Sequence, residues 1–226
     1  MRTVAADLND KADLKRIETL LATDGGITML VNNAGVGALA SLLESNVDDM
    51  EKIIELNVTA LTRLTYAVVP AFVTRGGGAI INISSFLAIW PELLNGVYGG
   101  TEAFVLTLSL SLHKGLADKS ISIQAVLPGG TATNFFNAAG GSLERVPRKM
   151  LMQTDDLVDA ALAGCDQSEF VTIPSLPDVA NNWNAYETAR RLIPDLSLSV
   201  PSTRYRTPVA TSAGPGRPMR DVGVQP

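Results

Sequence analysis

The sequence contains one cysteine and one histidine, and each shortage excludes a class of site. The single thiol, Cys165, cannot form an internal disulfide, which fits a reducing cytoplasmic environment. We interpret Cys165 as a buried, inert thiol and His113 as a favourable positive group near the end of a helix. Because His, Cys and acidic residues never cluster at metal-ligand spacing, the sequence predicts no metal site.

The chain also lacks a surplus of positive charge and a long hydrophobic run. Its 226 residues carry a net charge of −5, which argues against a general role in binding nucleic acid or anionic membranes. The longest apolar stretch, 64–73, is interrupted by Thr65 and Pro70 and is too short to span a bilayer. The first residues do not have the pattern of a secretory signal. We therefore expect a cytoplasmic protein with no nucleic-acid and no membrane partner.

Short apolar runs alternate with helical patterns along most of the chain. With 46% hydrophobic residues, the chain is long enough for one sizeable core. We predict strands at 3–6, 27–31, 79–83, 121–127 and 170–173, and helices at 11–22, 47–73, 96–116, 155–164 and 180–192. This alternation predicts an α/β fold, a parallel sheet with helices on both faces. Ligands bind such sheets at the carboxyl ends of the strands.

The end of the chain differs in composition from the rest. Residues 199–226 contain five prolines with many Ser, Thr, Gly and Arg residues between them. Such a segment has too few apolar side chains to build a core. We therefore predict a folded domain over 1–198 and a disordered tail over 199–226.

Polar residues follow most of the predicted strands. Asp7 and Leu8 follow the first strand, Asn32 to Gly35 the second, Ser84 and Ser85 the third, and Pro128 to Thr133 the fourth. Tyr98 comes thirteen residues after Ser85, within the next predicted helix. Asn57 stands inside the predicted helix 47–73, although asparagine is a poor residue for a helix interior.

These residues, in this order, resemble the short-chain dehydrogenase/reductase family over about residues 4–174. The family has a doubly wound, Rossmann-like parallel sheet and transfers hydride between NAD or NADP and a carbonyl or alcohol. The resemblance implies catalytic roles for Asn57, Ser85 and Tyr98. Tyr98 would give or take the proton, Ser85 would bond the substrate oxygen, and Asn57 would hold a water of a proton relay.

The same resemblance implies a cofactor site, a lid and a partner. The cofactor residues would be Asp7, Leu8, Asn33, Ala34, Gly35, Tyr98, Pro128, Gly129, Thr131 and Thr133. The loop 134–152, with Phe135, Phe136 and Leu143, would cover a small-molecule carbonyl or alcohol substrate as an apolar lid, or form a packed surface helix. In the family the two long helices, here 47–73 and 96–116, pair between subunits, which implies a homodimer or homotetramer.

One departure from the family pattern concerns the tyrosine. The family has Tyr-x-x-x-Lys, whereas this chain has Glu102 four residues after Tyr98. Helix side chains at this spacing are neighbours. A cation at about 4–5 Å, with an effective dielectric of about 20, would favour a tyrosinate by roughly 3–4 kcal/mol. Its loss should raise the tyrosine pKa by about two to three units, so we expect impaired catalysis.

A second departure concerns the strand, Gly-rich turn and helix with which the family begins. The chain starts at what resembles the third strand, so we expect an N-terminally truncated member in which cofactor binding is weakened. Residues 35–40 fit G-x-G-x-x-A by letter only, since a long helix follows in place of a strand ending in an acidic residue. The strand 27–31 would then have an open edge. Either residues 3–6 move inward, another chain covers the gap, or the chain folds poorly. The alternative function is a non-catalytic binding or scaffold protein, or a truncated remnant.

Overall fold

The structure, a computed structural model, describes residues 2–192 and 199–205. The chain divides into two units, Met1–Pro177 and Asp178–Pro226. The described part of the second unit contains a helix, Val179–Arg191, and one 3₁₀ turn, Thr203–Tyr205. Most of the predicted tail, 206–226, lies outside the described residues. Its disorder and the boundary at 198 stay predictions.

The first unit alternates helices and strands in nearly the predicted order. Its helices are α1 (Lys11–Thr23), α2 (Val47–Ile54), α3 (Leu61–Arg75), α4 (Gly96–Gly115), α5 (Phe135–Ala138) and α6 (Thr154–Asp166). Its strands are β1 (Met29–Asn32), β2 (Gly78–Ile83), β3 (Ile121–Val126) and β4 (Val171–Thr172). A π-helical turn, Glu55–Ala60, joins α2 to α3, so that 47–75 is one long helix. The sequence predicts a regular helix over 47–73, and the structure has the same helix with a π-helical turn inside it.

The four strands form a parallel sheet in the order β1-β2-β3-β4, with helices on both faces. Leu30 is in register with Ile80, and Ile80 with Ile123, so these side chains form one apolar row. This row packs in a core cluster with residues of α1 and α3. On the opposite face, Ile81 and Val126 pack against α6. The predicted α/β architecture is therefore confirmed.

A buried network of side-chain amides holds together the carboxyl ends of the neighbouring strands β1 and β2. The Asn32 side-chain amide donates to the Asn82 Oδ1 at 2.8 Å and to the Thr65 hydroxyl of α3 at 3.2 Å. The Asn82 amide in turn donates to the Ser109 hydroxyl of α4 at 2.9 Å. Because buried amides without partners are costly, this network constrains both strand ends and both helices together.

The strand predicted at 3–6 is wrong, since the structure assigns no strand there. Instead, the Arg16 guanidinium of α1 donates to the Ala5 carbonyl at 2.7 Å, which holds this segment against α1. Within the described residues, β1 therefore pairs with β2 alone and forms the edge of the sheet. Its Met29 and Val31 side chains are nearly half exposed. Inward movement of residues 3–6, one of three alternatives for this edge, does not occur here.

The helical stretch 47–75 is long and apolar enough, by length and composition alone, to cross a membrane. A buried core helix passes the same test. Leu64, Val68 and Phe72 of α3 belong to the core cluster with α1 and the sheet. Phe72 is fully buried, and Gly78 of β2 leaves the space that its ring fills.

Candidate active site

A cavity of about 360 Å³ lies at the carboxyl ends of β2 and β3. Its walls come from the turn after β1, the segment after β2, the start of α4, the turn after β3, and the helices α5 and α6. This is the place at which parallel sheets bind ligands. Among the described lining residues, only Tyr98, with its phenol, and Glu102, with its carboxyl, carry groups more acidic than an aliphatic hydroxyl.

Ser85 and Tyr98 meet inside this cavity. Ser85 lies two residues beyond β2, and Tyr98 lies in the first turn of α4. Both residues are only 7% exposed and both line the cavity, and the Ser85 hydroxyl is close enough to influence the pKa of the Tyr98 phenol. The two groups therefore face the same space, as an acid and its partner on one carbonyl group would require.

The start of α4 is positioned by Asn95 and Gly99, two residues that sequence reasoning did not single out. The Asn95 side chain caps the helix by accepting from the backbone amides of Val97 and Tyr98, and it donates to the Ala40 carbonyl at 2.6 Å. A side chain at Gly99 would come within 3.0 Å of Pro91. Asparagine before a helical pattern is a capping signal that could have identified Asn95.

Glu102 lies one turn after Tyr98 and also lines the cavity. It is 7% exposed, and its Oε2 is buried without a hydrogen-bond partner among the described residues. Burial raises the pKa of the Glu102 carboxyl to about 7, and the neighbouring Ser84 hydroxyl opposes this rise. The Ser84 hydroxyl also donates to the Glu102 backbone carbonyl at 3.0 Å. The contact between Ser84 and Glu102 depends on the fold, and the sequence alone does not predict it.

Burial, and next the neighbouring Glu102 carboxyl, raise the pKa of the Tyr98 phenol well above its ordinary value. The neighbouring Ser85 hydroxyl acts in the opposite direction but has the smallest of the three effects on the pKa. The phenol is therefore neutral throughout the physiological range. The direction of this shift is the one expected from the Tyr98–Glu102 spacing.

Asn57 lies in the π-helical turn and connects two walls of the site. Its side-chain amide donates to the Val36 carbonyl at 2.8 Å and to the Thr101 hydroxyl at 3.1 Å, while its Oδ1 accepts from the Val36 amide at 3.0 Å. The Asn57 side chain therefore ties the turn after β1 to α4. Its predicted part in a water relay stays a prediction.

The structure brings together some of the predicted cofactor residues. In addition to Tyr98, the cavity lining includes Asn33, Gly35, Pro128, Gly129, Thr131 and Thr133. Ala34 and Leu8 instead line a neighbouring groove beside β1. Asp7 is exposed and lines neither space, and its carboxylate accepts from the Asn9 backbone amide at 2.9 Å, as in an ordinary turn.

Phe135 and Phe136 form an apolar wall of the cavity, whereas Leu143 is absent from the described lining. The Phe135 and Tyr98 ring centroids are 5.7 Å apart. A side chain at Gly37 would collide with the Phe135 ring at 2.3 Å. The glycine pattern at 35–40 therefore serves packing at this wall, and the segment lies between β1 and α2 rather than at the start of a helix.

Known proteins resemble this chain in sequence and in fold. The sequence model of the short chain dehydrogenase family matches residues 1–142. A "Probable NADP-dependent dehydrogenase" of Haemophilus influenzae is 33% identical over 178 residues, 75% of this chain and 71% of that protein.

Two solved structures have the same fold. A short-chain dehydrogenase from Sphingobium yanoikuyae in complex with NADPH has 43% identity and a TM-score of 0.85, over 89% of this chain and 78% of that one. A bulky-bulky ketone specific alcohol dehydrogenase from Comamonas testosteroni has 40% identity and a TM-score of 0.80, over 89% and 76% of the two chains. The chain therefore belongs to the short-chain dehydrogenase family of oxidoreductases.

Proposed function

We propose that the protein transfers hydride between NADP(H) or NAD(H) and a small ketone or the corresponding alcohol, with a chemical step slowed by Glu102. The observation that carries this proposal is that Ser85 and Tyr98, both buried, line one cavity at the carboxyl ends of β2 and β3. The names of the Haemophilus, Sphingobium and Comamonas proteins support NADP as the cofactor and a ketone as the substrate class.

The cavity lining fits the nicotinamide end of such a cofactor. The Pro128–Thr131 turn presents backbone groups and a hydroxyl beside the apolar walls, and Asn33 and Gly35 bound the opposite side. These residues would hold the nicotinamide and its carboxamide. When bound, the reduced cofactor supplies the hydride. Asp7 and Leu8, proposed from the resemblance for the adenine end, lie outside this cavity.

The chain's own residues would handle the substrate oxygen and its proton. The Ser85 hydroxyl would donate a hydrogen bond to the carbonyl oxygen, and the Tyr98 phenol would donate the proton as the alcohol forms. A phenol whose pKa is far above the working pH is a weak proton donor and is almost never ionised for the reverse reaction. Because Glu102 contributes to this high pKa, we expect slow chemistry in both directions.

Replacing Tyr98 with Phe is expected to lower hydride transfer by about 100-fold or more, because general acid–base groups contribute at least this much. The measurement is NADPH and NADH oxidation at 340 nm with a panel of ketones, after isothermal titration of each cofactor. Tyr205→Phe is a matched control, since Tyr205 is 69% exposed and lies outside the cavity lining.

Unchanged activity in the Tyr98→Phe variant would remove the phenol from the mechanism. If neither cofactor binds the folded protein at millimolar concentration, the proposal fails. The alternative, a non-catalytic binding protein derived from the family, would then replace it.

We also propose that the chain forms a homodimer through the two long helices. Tyr66 and Val73 of α3 and Phe104 of α4 are exposed apolar side chains on these elements. Multi-angle light scattering is expected to give about twice the chain mass of 23.9 kDa. Phe104→Glu should shift the protein toward monomer, whereas Leu43→Glu, in the loop before α2, should not. A monomeric wild-type chain would contradict this proposal.

We propose a cytoplasmic location because the Cys165 thiol is free. Cys165 is a free cysteine on α6. Its side chain is only partly buried, whereas the sequence predicts a buried thiol. Part of its side chain packs against the cluster of Ile81, Val126 and Ala161. A partly accessible thiol is stable as such in a reducing compartment.

A further inference from the structure

The cavity has an unusual charge arrangement: it contains an acid and no cation. Within its described lining, Glu102 and Tyr98 are the acidic groups, and Lys, Arg and His are absent. The elements that contact α4 carry further charged residues, which also lie outside the lining: Asp48, Asp49, Glu51, Lys52, Glu55 and Glu92. Any ligand in this cavity therefore meets the Glu102 carboxyl without a compensating positive side chain.

The Glu102 carboxyl is also short of partners. Its Oε2 makes no hydrogen bond among the described residues, and the hydroxyl of the neighbouring Ser84 donates to the Glu102 backbone carbonyl instead. The walls around it include apolar residues such as Phe135, Leu157 and Val158. A buried carboxylate without a counter-charge is costly, so a positive ligand group would relieve that cost.

We propose that this cavity selects cationic aromatic rings over neutral ones, with the Glu102 carboxylate as the counter-charge. The rings of Tyr98 and Phe135, 5.7 Å apart, add aromatic surfaces to which a cation is attracted. The nicotinamide ring is positively charged in oxidised NAD(P)+ and neutral in NAD(P)H. On the basis of the proposed function, the chain therefore binds the oxidised cofactor in preference to the reduced one.

The size of the preference follows from the size of the cavity. In a space of about 360 Å³, a bound ring lies within roughly 7 Å of the carboxyl. With an effective dielectric of about 20, the attraction at that distance corresponds to about 50-fold in affinity. Burial raises the pKa of Glu102 to about 7. The preference should therefore be full at pH 8.5, where the carboxyl is ionised, and should largely disappear at pH 5.5. Tyr98 stays neutral over this range.

The test uses two matched pairs of probes. One pair is 1-methylnicotinamide, a cation, and nicotinamide, its neutral counterpart; the other pair is NADP+ and NADPH. Dissociation constants are measured by NMR or calorimetry at pH 5.5 and 8.5, for the wild type, Glu102→Gln and Glu51→Gln. Glu51 is exposed on α2 and controls for the loss of one charge.

The wild type and Glu51→Gln are expected to bind 1-methylnicotinamide about 10-fold or more tightly than nicotinamide at pH 8.5. Glu102→Gln should lose most of this preference and keep only the small part that the aromatic rings contribute. Equal binding by the wild type, absence of 1-methylnicotinamide binding, or a preference that is undiminished in Glu102→Gln overturns the inference. The pH comparison in the wild type needs no variant, so it holds even if Glu102→Gln fails to fold.

The two pairs separate this inference from the proposed function. If the fragments are distinguished but neither NADP+ nor NADPH binds, the oxidoreductase proposal fails and the selectivity for cations stands. If both dinucleotides bind with equal affinity, the preference for the oxidised cofactor is refuted and the oxidoreductase proposal stands.

Discussion

Glu102→Lys is expected to raise the rate of hydride transfer by about 100-fold or more. The substitution removes the carboxyl that raises the Tyr98 pKa and places a cation one helical turn from the phenol. A positive group at this distance is worth roughly 3–4 kcal/mol to a tyrosinate, which lowers its pKa by about two to three units. A phenol with a pKa nearer the working pH transfers its proton faster in both directions.

The measurement is the rate constant of a single turnover with saturating NADPH and ketone, recorded between pH 6 and 10. The pH profile should also move, because Glu102→Lys lowers the pKa of the group that must ionise for alcohol oxidation. Glu102→Gln should lie between the two proteins, since it removes repulsion without adding a cation. The double variant with Tyr98→Phe should lose the gain. If Glu102→Lys folds, binds cofactor and is no faster, Glu102 is not what limits the chemistry.

Much of the fold could be predicted because parallel strands buried on both faces appear as continuous apolar runs. Residues 79–83 and 121–127 come near to this pattern, with Asn82, Ser122 and Gln124 as the polar exceptions, and they form β2 and β3 almost at the predicted limits. The capping side chain of Asp10 likewise marks the start of α1. Such signals are local, so a sequence contains them without any knowledge of the fold.

The prediction of a strand at 3–6 was wrong because the sequence there contains no sufficient local signal. A run of four residues is too short for periodicity to separate a strand from extended coil, and pairing depends on partners far along the chain. The contact that decides the matter, from Arg16 to the Ala5 carbonyl, is set by the packing of α1. The π-helical turn around Asn57 depends in the same way on distant groups, Val36 and Thr101.

In the candidate site, too, some features follow from the local sequence and others depend on the whole fold. The order and spacing of Ser85 and Tyr98 were sufficient to predict that they share a site, and the structure places both in one cavity. The i, i+4 spacing was also sufficient to place Glu102 beside the phenol. The spacing could not indicate that Glu102 is buried or that the Ser84 hydroxyl donates to its backbone carbonyl. Burial is a property of the whole fold, and here it determines the protonation of the carboxyl.

Glu102→Gln is expected to stabilise the folded protein by about 3 kcal/mol at pH 8 and by far less at pH 4.5. The pKa of Glu102 is 4.5 in an ordinary setting and about 7 in the fold. A shift of this size corresponds to roughly 3 kcal/mol. Below pH 4.5 the carboxyl is protonated in both states and contributes nothing. Between pH 4.5 and 7 the unfolded chain binds fewer protons than the folded one, so the free energy of unfolding falls as pH rises. Above pH 7 the loss is constant.

Glutamine keeps the shape of the neutral acid and never ionises, so the variant avoids this loss. The measurement is urea unfolding of both proteins from pH 4 to 9, reported as the difference in free energy of unfolding. Paired carboxylates with lowered pKa, such as Glu18 and Glu187, are common to both proteins and cancel in that difference. Glu51→Gln, on an exposed face of α2, should give a small and nearly constant difference. A Glu102→Gln difference that stays flat with pH would mean that the Glu102 carboxyl ionises freely in the fold. It would also remove the physical basis for both its effect on Tyr98 and the selectivity of the cavity.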